Sequence, residues 1–164
     1  MKSINILIAD DEPDLRKYLI HVLQDMGTEK LSFSEANNGQ EALTCLNKES
    51  FDLILLDVKM PILDGMQTLQ AIIDQEMSGF VVMITAHANI RDAVQAIKLG
   101  AYDYLEKPLD KDKIVEIFKK VVEAHRLVEE ISLSYPIMES DTESQIIGNS
   151  KPMKEVFGLI KKNL

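Results

Sequence analysis

Three short apolar runs constrain this chain more than any other feature: INILIA (4–9), LILL (53–56) and FVVMIT (80–85). Runs of this length suit strands buried on both faces, which is the situation of a parallel sheet. Two weaker strand candidates are KLSFSEA (30–36) and AYDYLE (101–106). Segments of helical period lie between them. Leu15, Tyr18, Leu19, Val22, Leu23 and Met26 recur at helical spacing, Pro13 suits the first turn, and Gly27 follows as a stop. Ala42, Leu43 and Leu46 mark a second helix, and Met66, Leu69, Ile72 and Ile73 a third. Ala93, Val94 and Ile97, ending at Gly100, mark a fourth, and a fifth starts near Asp110. The alternation predicts an α/β fold, a doubly wound five-stranded parallel sheet covered on both faces.

Ligands of such sheets bind beyond the carboxyl ends of the strands, so the residues there carry the functional information. Asp10, Asp11 and Glu12 follow the first strand, and Asp57 follows the third. The fourth ends at Thr85, and Lys107-Pro108 follows the fifth. Each has a plainer reading in isolation. The acids make a solvated loop with an N-capping residue before the Pro13 helix, Thr85 caps a strand, and Lys107 is a loop charge. Together at one edge they form a site. Two carboxylates about 4 Å apart repel by ~4 kcal/mol at an effective dielectric near 20, so the cluster demands a cation. Oxygen ligands with room for waters favour Mg²⁺ over zinc, and His21, His87 and His125 are not spaced as a zinc pair. A carboxylate beside Mg²⁺, a lysine and a hydroxyl is a setting for phosphoryl transfer. Asp57 is the candidate nucleophile, which would form an aspartyl phosphate. The metal and Lys107 would neutralise the transferring oxygens, and Thr85 would donate its hydroxyl to them.

The 164 residues suffice for one domain and an appendage. A net charge of -9 argues against generic nucleic-acid binding by this segment. The single cysteine, Cys45, leaves no internal disulfide framework and fits a reducing cytosol; within EALTCLNK it reads as a small core residue. MKSINILIADDE does not resemble a signal peptide, and no stretch approaches the length of a membrane span. A cytoplasmic location without membrane contact is expected.

The pieces ILIADDEPDLR, DLILLDVKMPILDGM, MITAHA and GAYDYLEKPLD, in that order, resemble the receiver domain of bacterial two-component response regulators over residues 4 to about 122. The resemblance implies a flavodoxin-like sheet of strand order 2-1-3-4-5, with a sensor histidine kinase phosphorylating Asp57. It implies Asp11 as a direct Mg²⁺ ligand, Asp10 as a ligand mainly through water, and Asp57 and the backbone carbonyl of Lys59 as further ligands. Lys107 would pair with the phosphoryl group, and Lys107-Pro108 is a candidate cis peptide. Thr85 and Tyr104 would be a switch pair, although Tyr104 also reads as an ordinary half-buried strand tyrosine. Lys59 stands where many relatives carry a neutral or small polar residue; a carbonyl ligand does not depend on the side chain.

The fifth helix runs past the end of such a domain. Ile114, Ile117, Val121, Ala124, Val128 and Ile131 alternate spacings of three and four, a heptad seam that predicts a parallel homodimer. Val115, Phe118 and Val122 form a neighbouring stripe for the chain's own sheet. The other reading is one broad amphipathic helix with both stripes against its own domain. Pro136 sets the latest end of the helix, and MESDTESQ (138–145) reads as an exposed acidic linker. IIGNSKPMKEVFGLIKK (146–162) resembles the opening of the AAA+ ATPase domain of NtrC-type, sigma-54-dependent activators. The expected organisation is therefore a receiver at 1–122, a dimerising linker at 123–145, and the start of an ATPase domain at 146–164 that would work on sigma-54 polymerase. Without a phosphate loop or DNA-binding helix pair, this stretch should neither hydrolyse ATP nor bind promoter DNA. A phosphoaspartate-forming hydrolase usually has a second aspartate two residues after its nucleophile, where this chain has Lys59. A degenerate structural adaptor is the third reading.

Overall fold

The computed structural model describes residues 3–27, 30–87 and 89–134. Five parallel strands, β1 (Ile4–Ala9), β2 (Leu31–Ala36), β3 (Leu53–Asp57), β4 (Phe80–Thr85) and β5 (Asp103–Glu106), lie in the order β2-β1-β3-β4-β5. The helices are α1 (Pro13–Gln24), α2 (Gly39–Leu46), α3 (Gly65–Asp74), α4 (Ile90–Leu99) and α5 (Lys111–Ser134). This is the doubly wound sheet that the alternation predicts. No helix among the described residues is long and apolar enough to cross a membrane.

The strands are apolar throughout because each face has its own core. Ile4, Ile6 and Ile8 of β1, Leu53 and Leu55 of β3, and Phe80, Val82 and Ile84 of β4 pack under α1 and α5. The alternate residues, including Leu7, Ile54, Leu56, Val81 and Met83, pack with Leu69 and Ile72 of α3, Ala42 of α2 and Ala96 of α4. A one-residue slip would only exchange one apolar set for the other, so the apolar pattern alone does not select register here. Polar end residues and the connections do. β3 runs one residue further than its apolar run, with Asp57 opposite Ile84 of β4. β5 starts two residues later than the sequence suggests, because the Gly100 and Ala101 amides both bond back to Ala96 O and close α4.

The partner seam expected on the fifth helix is placed differently. Ile114, Ile117, Val121 and Ala124 belong to the chain's own core, beside Phe118, with Val115 and Val122 at its margin. Val128 is buried too, and of the six expected seam residues only Ile131 is exposed. The heptad spacing marks an apolar face, but the same face can be covered by a sheet or by a second helix, and here the sheet covers it. Burial of five of the six residues within one chain is what the reading of one broad amphipathic helix expects, while Leu127 and Ile131 stay exposed. Packing also continues past residue 122, where His125 Nε2 lies 3.2 Å from Asp52 Oδ1 and Asp52 Oδ2 accepts the Asn5 amide at 2.8 Å. Pro136, the acidic stretch 138–145 and the ATPase-like stretch 146–162 lie outside the described residues.

Ile117→Ala should therefore lower the unfolding free energy of one chain by about 2–4 kcal/mol. Urea unfolding followed at two protein concentrations checks this. A shared midpoint fits an intramolecular core, and a midpoint that moves with concentration would restore the seam.

Candidate acidic site at the carboxyl edge

Parallel order brings the ends of β1, β3, β4 and β5 to one edge. Asp10 follows β1 directly, is fully buried, and donates its amide to Ala36 O at 3.1 Å. Its Oδ1 accepts the Glu12 amide at 2.8 Å. Arg16, one turn into α1, donates from Nη1 to Asp10 O and from Nε to Glu35 Oε2, both at 2.7 Å. Asp57 is 3% exposed. The chain leaves it through a tight loop in which Val58 N bonds Ile84 O at 2.7 Å and Gly65 N bonds Val58 O at 2.9 Å. Any Cβ at position 65 would lie 2.1 Å from Asp57 O, so only glycine fits after Asp64. Lys107 is fixed at the end of β5 by its amide, which donates to Thr85 O at 2.7 Å. The Lys107-Pro108 peptide is cis.

The Lys107 ammonium reaches three carboxylates: Glu12 Oε1 at 2.8 Å, Asp10 Oδ2 at 3.0 Å and Asp57 Oδ1 at 3.3 Å. Burial alone would depress this lysine, but hydrogen bonds to Glu12 and Asp10 and the charge of Asp57 outweigh it and raise its pKa. It stays charged. Asp57 is pushed up to about 6, first by burial and then by the Asp10 charge, with Lys107 opposing both. At neutral pH it is still mostly ionised. Asp10 Oδ2 is buried, and its one polar contact is the Lys107 ammonium at 3.0 Å.

Among the described residues, Asp10, Asp11 and Glu12 bring carboxylate oxygens within 4.8 Å of one another, a set that could hold a metal ion. All-oxygen donors, two of the residues exposed to water, and a buried oxygen whose one polar contact is Lys107 suit a hard divalent cation such as Mg²⁺. The grouping differs from the expected ligands in including Glu12 and omitting Asp57. The Lys59 side chain is exposed beside the site.

The two expected switch residues stand apart in their bonding. Thr85 is buried, and its Oγ1 accepts the His87 amide and lies 3.2 Å from His87 O. Tyr104 pairs with Met83 in the sheet, and its buried hydroxyl has no hydrogen-bond partner. The pairing of Glu12 with Lys107 and the part of Arg16 in the site escape sequence reasoning. Glu12 has the N-cap position of α1 but makes no side-chain cap, and its carboxylate goes to Lys107 instead. Arg16 is buried although cationic; its spacing of three and seven from Leu19 and Leu23 was the available signal, since it sets all three on one face.

A 2-1-3-4-5 parallel sheet, with acids closing its central strands and a lysine after the last, is the arrangement that the resemblance to a receiver domain implies. The chain belongs to the response regulator receiver domain family, whose family model matches residues 6–119. It is 31% identical over 160 residues to the DNA-binding transcriptional regulator NtrC of Proteus hauseri, covering 98% of this chain and 33% of that protein. It is 36% identical over 162 residues to the response regulator protein PilR of Pseudomonas aeruginosa, covering 99% of this chain and 34% of that one. Among solved structures, NtrX from Brucella abortus superposes with a TM-score of 0.68 at 34% identity, covering 85% of this chain and 31% of that chain. The chain thus spans about a third of the length of these curated relatives.

The raised pKa of Asp57 has a stability consequence. A carboxyl raised from 3.8 to about 6 by folding contributes fully below pH 4, and that contribution is lost as pH rises through 6. Asp57→Asn should stabilise the metal-free domain at pH 8 by roughly 2–3 kcal/mol and change little at pH 4. Urea unfolding in a chelator at both pH values tests it; equal effects at the two would contradict it.

Proposed function

We propose that the chain is a phosphoacceptor switch in which Asp57 takes a phosphoryl group from a sensor histidine kinase. The observation that carries this is the Lys107 ammonium set 3.3 Å from Asp57 Oδ1 and 3.0 Å from Asp10 Oδ2 at the joined strand ends. An Asp57 oxygen attacks phosphorus and forms an acyl phosphate. The bond from phosphorus to the donor breaks, and its electron pair leaves with the donor imidazole, which carries a proton on its other ring nitrogen and so departs neutral. Lys107 is placed to neutralise the phosphoryl oxygens, and burial keeps bulk water from the new acyl phosphate. Mg²⁺, held by Asp10 and Asp11 with Asp57 and the Lys59 carbonyl, would supply further neutralising charge when bound. The Thr85 hydroxyl exchanges the bond it donates to His87 O for one donated to a phosphoryl oxygen, and the Tyr104 ring follows into the space released.

Similarity to NtrC and PilR over nearly the whole chain supports a larger assembly around this switch. Residues 1–122 are then its receiver, 123–145 its linker, and 146–164 the opening of an ATPase domain that acts on sigma-54 polymerase. The setting is cytoplasmic. A homodimer through α5 uses the exposed Leu127 and Ile131, because the stripe from Ile114 to Ala124 is already filled by the chain's own sheet. A hydrolase is disfavoured by Lys59, which stands where such an enzyme usually has its second aspartate. A degenerate adaptor is disfavoured by the complete set of acids and lysine.

Acetyl phosphate with Mg²⁺ should load one phosphoryl group per chain, seen in the intact mass. Chelation of the metal or Asp57→Asn should abolish it. Full labelling of Asp57→Asn would contradict the assignment, and sustained phosphate release from simple monoesters would favour the hydrolase.

A further inference from the structure

Ile62 meets two contrary conditions at the rim of the acidic site. Leu63 N donates to Pro61 O at 2.8 Å across it, and its φ is +70°, which makes it the centre of a γ-turn of the rare, strained kind. A β-branched side chain disfavours such a backbone, whereas glycine or asparagine would adopt it readily. The turn therefore does not call for isoleucine. Neither does the core, since Ile62 is 81% exposed.

The loop around it is held on every side. Met60 is buried, Leu63 O accepts the Gly39 amide at 3.0 Å, and Asp64 caps α3 reciprocally with Gln67. The result is an apolar knob on a fixed backbone, which loses little freedom when it is covered. It stands five residues past Asp57 at the edge where the site opens. Ile90, 84% exposed, begins α4 beyond the neighbouring strand β4. Strain kept at a site rim points to a use for the residue held there.

Asp57 is 3% exposed, so a protein that delivers phosphorus to it must press its surface onto the surrounding loops, including this one. We propose that Ile62 is a docking contact for the protein phosphodonor, seated in an apolar depression beside the donor's phosphorylated side chain. This rests on Asp57 being the acceptor. It adds that recognition of a protein donor, and not acceptance of a phosphoryl group as such, depends on the knob.

The test compares the full chain with I62G, I62N and I62L, using two donors. One is acetyl phosphate; the other is the autophosphorylated sensor-kinase core that labels the native chain fastest in a panel. I62G and I62N should melt no lower than the native chain and accept from acetyl phosphate at the native rate. With the kinase, their kcat/KM should fall about tenfold or more, through KM. I62L should keep most of the native value. Native kcat/KM for I62N with the kinase overturns the proposal. Equal losses with both donors do so too, as does a change confined to self-association in light scattering. A native chain that takes no phosphoryl group from either donor would overturn the acceptor reading itself.

Discussion

One ammonium group bears the charge balance of this fold's working edge. Lys107 Nζ lies within 3.3 Å of oxygens from Asp10, Glu12 and Asp57, and Asp11 adds a fourth negative charge nearby. Four acids against one lysine leave the edge short of positive charge, even after the contacts that raise the lysine's pKa. Without Lys107, burial of Asp10 and Asp57 side by side would cost several kcal/mol. With it, both remain buried and the deficit is left for a metal and for the positive phosphorus centre of a donor. The backbone bond from Lys107 N to Thr85 O is what fixes this cation at the end of β5.

The helix that follows the lysine is part of the same body. α5 fills the core with Ile114, Ile117, Phe118, Val121 and Ala124, and His125 ties it to Asp52 at the opposite edge of the sheet. Asp52 in turn holds the Asn5 amide at the start of β1. The position of the helix is thus set by the core beneath it and by the tie at the amino end of β3. A switch at Thr85 and Tyr104 would act on a packed element whose position depends on the whole core, which is how small shifts become discrete ones.

The fold was legible because burial on both faces leaves a plain mark: three runs with almost no polar residue, separated by helical periods. The principal site residues were legible for the complementary reason. Asp57 closes a run that otherwise has no charge, and topology alone carries Asp10 and Lys107 to the same edge. What escaped depends on distance in sequence or on surroundings. Glu12 finds its partner 95 residues away, and nothing in its helix-start position hints at it. Arg16 looks like a surface cation until Asp10 O and Glu35 are seen around it. The face of α5 was visible as apolar, but the spacing could not say whether a sheet or a second helix covers it. Ile62 carried no signal in the sequence, because its positive φ and its exposure exist only in three dimensions.

The deficit of positive charge around Lys107 is open to direct measurement by Mg²⁺ titration of the native chain and Lys107→Met at pH 8. Removing a cation 3.0 Å from Asp10 leaves the acids more negative, so the variant should bind Mg²⁺ several-fold more tightly. Unchanged or weaker binding by the folded variant would contradict the view that the lysine and the metal answer to the same surplus of carboxylates.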